Sequence, residues 1–433
     1  MDYINNPKPL NSMNKEKTTF QHLFSLPVIV AALGYFVDIY DLQLFGIVRV
    51  QSLESLGLTT KEEISSIGTT IINFQMIGLL LGGILWGILG DKKGRLSVLF
   101  GSIITYSLAN IACGMIPHIE FMDKIEAYKW LRFIAGIGLA GELGAGITLV
   151  SEILPKHLRA IGTSLVAGIG LLGAVVATFT VRLSGDWTVA YLIGGILGVA
   201  LLLLRVGVIE SGIFKDVIGK KHIQRGNFFA FFTNWERFST YMKCIGIGIP
   251  LWFCIGILVY LSNEFGEALG IAEKIDPGLS IMWAYVGISG GDFLSGIFSH
   301  ALRSRKKAIG FMMSFALICM IILLFSGLIK SSSLFYTLCC LLGFGNGFWA
   351  MFVTVAAEQF GTNLRATAAT TIPNMVRGSV VLMTISYKFL KPTQGIIIAG
   401  AIVGLICFAI GFYSVLTISE THGKDLDFLE EYN

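Results

Sequence analysis

Twelve apolar runs, each about the length needed to cross a bilayer, follow one another along this chain. They cover residues 24–48, 67–90, 96–117, 129–153, 160–182, 187–209, 243–262, 279–301, 307–329, 333–357, 366–389 and 394–417. No soluble core can absorb so many, and only 14% of the residues are charged. A soluble domain carries about 25%. The pattern therefore predicts an all-α membrane protein with twelve transmembrane helices. The N-terminal residues 1–23 are polar and lack the layout of a cleavable signal peptide. The seven cysteines (Cys113, Cys244, Cys254, Cys319, Cys339, Cys340, Cys407) lie in or beside apolar runs without metal-ligand spacing. No metal site or disulfide framework is expected from them.

Lysine and arginine in the loops set the expected orientation. One side holds Lys92, Lys93, Arg95, Lys156, Arg159, Lys215, Lys220, Lys221, Arg225, Arg237, Arg303, Arg305, Lys306 and Lys307. The other holds far fewer, at Lys61, Lys124, Lys274 and Lys330, with acids at Glu62, Glu63, Glu264, Glu267, Glu273 and Asp276. The expectation is a multi-pass protein of the cytoplasmic (inner) membrane with both termini cytoplasmic. Residues 210–242 form the longest polar stretch and separate six runs from six. Their basic part precedes Phe228, Phe229, Phe231, Phe232 and Trp235, which fits an interfacial amphipathic helix. The divisions are a tail 1–23, a half 24–209, a connector 210–242, a second half 243–417 and a tail 418–433.

An internal repeat supports this split. Glu152 and Arg159 follow the fourth run, and Glu358 and Arg365 follow the tenth. In both, Leu precedes the Arg and Ala follows it. The spacing predicts two pseudo-symmetric six-helix halves, an architecture that places substrate near the midplane between them.

Charges inside the runs mark the candidate site, because a charge at the bilayer centre costs at least about 2.5–3.5 kcal/mol. Asp38 and Asp41 lie three apart in the first run and share a helix face. Glu142 lies in the fourth run among Gly136, Gly138, Gly141, Gly144 and Gly146, which permit close helix packing. Arg377 lies in the eleventh, after Asn374. Arg132 and Asp292 are placed nearer run ends and are expected to be structural. Carboxylates in low dielectric can exchange protons near neutral pH, so Asp38, Asp41 and Glu142 are the proton-coupling candidates. A buried guanidinium offers a fixed fork for a carboxylate or phosphate, so Arg377 is the anion-binding candidate. Tyr35, Gln43, Asn73, Gln75, Trp252, Trp349 and Asn374 are candidates to shape the pocket. This set suits proton-coupled transport of an anion, because protonation and anion binding together keep the loaded site near neutral.

Gly82-Gly83-Ile84-Leu85-Trp86-Gly87-Ile88-Leu89-Gly90-Asp91-Lys92-Lys93-Gly94-Arg95 joins the second and third runs through a predicted turn of about six residues. Its Gly87, Asp91, Gly94 and Arg95 resemble the loop between helices 2 and 3 of the major facilitator superfamily. The loop at Arg303 to Lys307 is a degraded echo of it. The resemblance covers about residues 24–430. Asp38-Ile39-Tyr40-Asp41 is similar to a motif of aromatic-acid and phosphate proton symporters. Arg132 to Ala145, including Glu142, resembles a pattern of metabolite and organic-acid proton symporters, with Ala140 in place of a glycine. Glu210-Ser211 and Ser419-Glu420-Thr421-His422-Gly423-Lys424 resemble sugar-porter-like members. The fifth run lacks the proline of the drug-antiporter motif. The resemblance implies the major facilitator fold, a cavity lined by spans 1, 4, 7 and 10, and gating by Gly87, Asp91, Gly94, Arg95, Glu152, Arg159, Glu358 and Arg365.

The resulting expectation is a secondary active transporter symporting protons with a small anionic metabolite such as a carboxylate. Phosphate or a carboxylate siderophore on the same fold is the alternative, and a non-transporting receptor is the alternative of another class. No polar loop is large enough for a catalytic domain, so no enzyme is expected. The expected partners are the lipid bilayer and the anion, with no nucleic acid and no cofactor beyond the coupling proton, and the chain is expected to be a monomer.

Overall fold

The computed structural model describes residues 24–93, 95–141, 154, 159–210, 228–361 and 364–422. Side chains at 27, 90–97, 159–161, 163, 164, 207–210 and 366 lie outside the description. The first half contains α1 (Leu26–Ser55), α2 (Lys61–Lys93), α3 (Arg95–Gly114), α4 (Lys124–Leu139), α5 (Arg159–Ser184) and α6 (Trp187–Glu210). The second contains α7 (Trp235–Phe253), α8 (Pro277–Leu302), α9 (Arg305–Phe325), α10 (Ser332–Gly345), α11 (Trp349–Glu358), α12 (Arg365–Gly378) and α13 (Val380–Thr417).

Nine helical segments among the described residues are long and apolar enough to span a membrane. One of them, Thr367–Thr417, is 51 residues long and holds two crossings that turn at Gly395. Val98–Gly114 is a shorter apolar helix, and α4 carries the fourth run up to the limit of the described residues. These segments together account for the twelve transmembrane helices.

Three local features differ from the sequence expectation. Where the sequence predicts a charged turn of about six residues between the second and third runs, α2 continues helically through Asp91, Lys92 and Lys93, and α3 begins at Arg95. The tenth run is broken into α10 and α11 at Asn346-Gly347-Phe348. In α7, Pro250 removes a backbone donor and the chain continues as a π-helical turn over Cys254–Val259. Of the 210–242 connector, the described part from 228 on is a short 3-10 helix, Phe228–Phe232, packed on Tyr241 and Phe360, followed by the start of α7 at Trp235.

Within the first half, α1 packs on α5 and α6, α2 on α4, and α3 on α4 and α6. The second half repeats the close pairing of α2 with α4 in the packing of α8 on α10. Gly136 abuts the Gln75 carbonyl of α2, and Gly138 abuts the Tyr106 backbone of α3. Without hydrophobic driving force in lipid, such close backbone contact is a main source of helix association. The halves meet where α5 packs on α8 and α12 packs on α2.

Gly395 holds φ 77° and ψ 169°, a conformation almost confined to glycine. A side chain there meets nothing within 4 Å. Gly395→Ala is therefore expected to cost about 1–3 kcal/mol through backbone strain alone. Gly296→Ala, also in open space but in regular helix, should be neutral or stabilising. Thermal unfolding of the two variants in detergent checks this.

Candidate functional site

The buried charges at Asp38, Asp41, Arg132 and Arg377 fall into two centres rather than one. The first lies at the meeting of the halves and is built around Arg377, 1% exposed. Its guanidinium carbon sits 5.7 Å from the Trp252 ring centroid and 5.6 Å from that of Trp349. The two indoles are 6.4 Å apart at 67°. Trp252 is presented just before the π turn of α7, and Trp349 is the first residue of α11. Arg377 Nη1 donates to Asn374 Oδ1 at 3.4 Å, while Nε makes no hydrogen bond. Asn374 Nδ2 in turn donates to the carbonyls of Ala140 (2.9 Å) and Thr370 (3.0 Å). Asn374 thus orients Arg377 and ties α12 to the end of α4.

α1 supplies the other side of this centre. Tyr35 lies within electrostatic reach of Arg377, Asp38 and Asp292, and beside the Trp349 indole. Gln43 is engaged on both ends: it accepts from Tyr260 Oη at 2.7 Å and donates to Tyr285 Oη at 2.5 Å. It therefore clamps α1 onto the second half. Asp38 is fully buried, near Tyr35 and Tyr285.

The second centre lies inside the first half. Arg132 is fully buried and donates to the Asp41 carbonyl (3.0 Å), Asn110 Oδ1 (2.9 Å) and Gln75 Oε1 (3.3 Å). Its guanidinium also lies 5.4 Å from the Tyr191 ring centroid. Gln75 donates onward to the Leu42 carbonyl at 3.0 Å. The Asp41 carboxylate lies near Arg132 and Asn110 and against Gly194 of α6. Asp38 and Asp41 stay within electrostatic reach of each other, as their spacing requires. Three residues nevertheless turn a helix by about 300°, leaving the two side chains some 60° apart. That offset sends Asp38 to the interface between halves and Asp41 into the first half.

Asp292 is placed differently from its sequence expectation. It lies well inside α8, 4% exposed, and its Oδ1 accepts from the Ala350 N–H at 3.0 Å. Its partner comes from the break at 346–348 in another run, a pairing that hydropathy along the chain does not show. Tyr260 and Tyr285 were likewise missed; both sit in apolar runs where an aromatic residue is unremarkable. Glu142, Gly94 and Glu152 lie outside the described residues. So do the side chains of Asp91, Arg95 and Arg159. Gly87 is described: it packs against Thr371 of α12, where the halves touch.

Both membrane faces carry polar networks. On the face beyond the end of α1, Arg49 donates to the Tyr260 carbonyl (3.1 Å) and Asn263 Oδ1 (2.8 Å) and lies 4.0 Å from Glu264. Lys391 pairs with Glu264 at 2.7 Å, and Lys61 with Glu267 at 2.6 Å. On the opposite, basic face, Arg305 pairs with Glu358, which also lies near Arg365. Glu420 there accepts from the Ser304 hydroxyl and from the N–H groups of Arg305 and Lys306, at the start of α9.

Burial alone would push the Glu420 carboxyl up. The Ser304 hydroxyl and the backbone N–H groups of His422, Arg305 and Lys306 outweigh this and hold it down, from 4.5 to about 2. A depressed carboxyl contributes stability above its unfolded value and loses it as pH falls toward the folded one. The melting-temperature gap between wild type and Glu420→Gln should therefore be full above about pH 4.5 and close toward pH 2. A pH series of thermal scans reads it directly.

Comparison with known proteins places these features in a family. The sequence pattern of the Major Facilitator Superfamily matches residues 31–384. A putative metabolite transport protein of Haemophilus influenzae is 26% identical, over 92% of this chain and 97% of its own length. The niacin transporter NiaP of Acinetobacter baylyi is 25% identical, over 92% of this chain and 94% of its own. The crystal structure of a D-xylose–proton symporter shares the fold, with TM-score 0.65 and 17% identity, over 92% of this chain and 99% of that one. With its family pattern spanning most of the sequence and twelve helices in two halves, the chain belongs to the major facilitator superfamily and is a multi-pass membrane transporter, not an enzyme.

Proposed function

We propose that this transporter carries a small aromatic carboxylate together with protons, inward across the cytoplasmic membrane. The observation that carries the reading is Arg377 held between the Trp252 and Trp349 rings, with its Nε unbonded. A guanidinium binds a carboxylate through paired, charge-assisted hydrogen bonds. The surrounding Tyr35, Tyr260 and Tyr285 supply flat apolar surface for a ring. A tetrahedral phosphate would gain little from such walls. A carboxylate attached to a ring uses both features of the site. That the similar Acinetobacter protein is named for niacin, a pyridine carboxylic acid, agrees with this class.

Asp38 is the leading proton carrier in this reading, because it lies at the same interface as Arg377. Asp41 and Glu142 remain candidates to relay the proton. Asp38→Asn that kept full proton-driven uptake in proteoliposomes would remove Asp38 from that role. The basic face, with both termini and the 210–242 connector, is assigned to the cytoplasm by the positive-inside rule. The working unit is a monomer in the bilayer, made of the two halves 24–209 and 243–417, and needs no cofactor other than the proton.

The deciding experiment is thermal stabilisation of the purified protein by nicotinate, benzoate, nicotinamide, phosphate and xylose. A ligand present at a hundred times its Kd stabilises by about 2.7 kcal/mol. Nicotinate or benzoate should raise the melting temperature while nicotinamide, which keeps the ring and lacks the charge, should not. Equal stabilisation by nicotinamide, or stabilisation by phosphate or xylose alone, would overturn the carboxylate reading.

A further inference from the structure

The break in the tenth span creates a problem that the chain solves from another helix. α11 starts at Trp349 in the interior of the membrane domain, and the first N–H groups of any helix lack partners within it. Such groups are costly to leave unsatisfied away from water. The residue before α11, Phe348, has no side chain that can cap it, and it makes no side-chain cap. Asp292 of α8 takes that role across the helix interface. Its Oδ1 accepts from the Ala350 N–H at 3.0 Å and its carboxylate also lies against the Trp349 N–H. A carboxylate here also meets the positive end of the helix dipole. The approach is possible because Gly291 and Gly347 pack backbone against backbone at this point.

The residue whose backbone is held in this way carries one wall of the Arg377 site. Trp349 is 4% exposed, and its indole faces both Arg377 and Trp252. A single turn of helix thus connects the Asp292 carboxylate to the ring beside the guanidinium. Gly347 leaves the chain just before Trp349 without a side chain to lock it, so the first turn of α11 depends on contacts from outside. Asp292 Oδ2 is buried and makes no hydrogen bond, so the carboxylate is not consumed by a packing network of its own.

We infer that Asp292 is a positioning residue that fixes the Trp349 indole against Arg377 by capping α11 from the neighbouring span. It acts through Trp349 and touches no substrate. The inference uses the carboxylate reading for its affinity readout, while its first readout is independent of any ligand.

The test compares Asp292→Ala, Asp292→Asn and Trp349→Phe in the purified full chain. Hydrogen exchange is read first, without ligand. Asp292→Ala should speed exchange of amides at 349–351 selectively, and Asp292→Asn, whose amide oxygen can still accept, should do so less. Nicotinate and benzoate affinity is read second. Asp292→Ala should weaken it roughly five- to tenfold, the size of a lost helix cap. In a Trp349→Phe background the further loss should shrink, since the two residues act in series. Unchanged exchange at 349–351 would overturn the cap. Faster exchange with unchanged affinity, or losses that simply add, would overturn the positioning role. If wild type binds none of the carboxylates, the carboxylate reading fails, and the cap stands or falls on the exchange data alone. An Asp292→Ala protein too unstable to purify leaves Asp292→Asn to be judged by the same two readouts.

Discussion

Arg377→Ala is expected to abolish measurable stabilisation by nicotinate and benzoate. The guanidinium is buried at 1% exposure, so a carboxylate beside it interacts with little water to screen the pair. Truncating one partner of a buried, hydrogen-bonded charge pair costs about 2–5 kcal/mol, or roughly thirtyfold to several-thousandfold in Kd. Arg377→Lys is the informative companion. It keeps the charge but loses the planar fork and the stacking against Trp252 and Trp349, so affinity should fall without vanishing. Both variants should be compared with wild type in the absence of ligand as well, because Asp38 and Asp292 lie in the same neighbourhood. Ligand stabilisation undiminished in Arg377→Ala would show that the anion binds elsewhere and leave Arg377 as a counter-charge to these acids.

The largest loss of stability is expected from Arg132→Ala. This side chain joins α4 to α1, α2 and α3 through three hydrogen bonds and lies over Tyr191 of α6. Removing it leaves the buried Asn110 and Gln75 side-chain oxygens without this donor. Breaking a buried charged network costs about 3–5 kcal/mol. The variant should unfold at a markedly lower temperature, while nicotinate should still raise that temperature by about the wild-type increment, since Arg132 is separate from the Arg377 centre. A near-wild-type melting temperature combined with lost uptake would reverse this assignment and move Arg132 into the transport route.

Much of the architecture could be read from periodicity and charge. Twelve apolar runs, the basic bias of alternate loops and the echo between Glu152–Arg159 and Glu358–Arg365 required only hydropathy and spacing. The glycines at 136 and 138 could be read as close-packing positions, and they are. Charges in the spans marked Asp38, Asp41, Glu142 and Arg377 as unusual, because their cost in lipid is independent of the details of the fold. What each one faces was less accessible. Asp38 and Asp41 share a face on a helical wheel, yet neighbouring helices fill the two sides of that face differently. Asn374 and Gln43 were read as pocket candidates, and the hydrogen bonds that each makes to other helices could not be read from the sequence. Asp292 was expected to be structural but nearer a run end, and its contact with the Ala350 N–H depends on a helix break half a hundred residues later. Aromatic residues such as Tyr260 and Tyr285 acquire meaning only once the polar groups opposite them are known.

The network around Arg49 has a consequence for the opening of that face. It spans the two halves, and its members differ sharply in contact with water. Arg49 is fully buried, whereas the Lys61–Glu267 pair is exposed, with side chains 78% and 64% accessible. Mobile ions screen the exposed pair and scarcely reach the buried one. Separation of the halves here therefore begins with a cheap, salt-sensitive step at the rim. It ends with a steep, salt-insensitive one, in which Arg49 must give up the Tyr260 carbonyl, Asn263 and Glu264 together. Such a latch resists partial opening: the rim can fray freely while the passage beneath it stays shut, which keeps protons from leaking past an unloaded carrier.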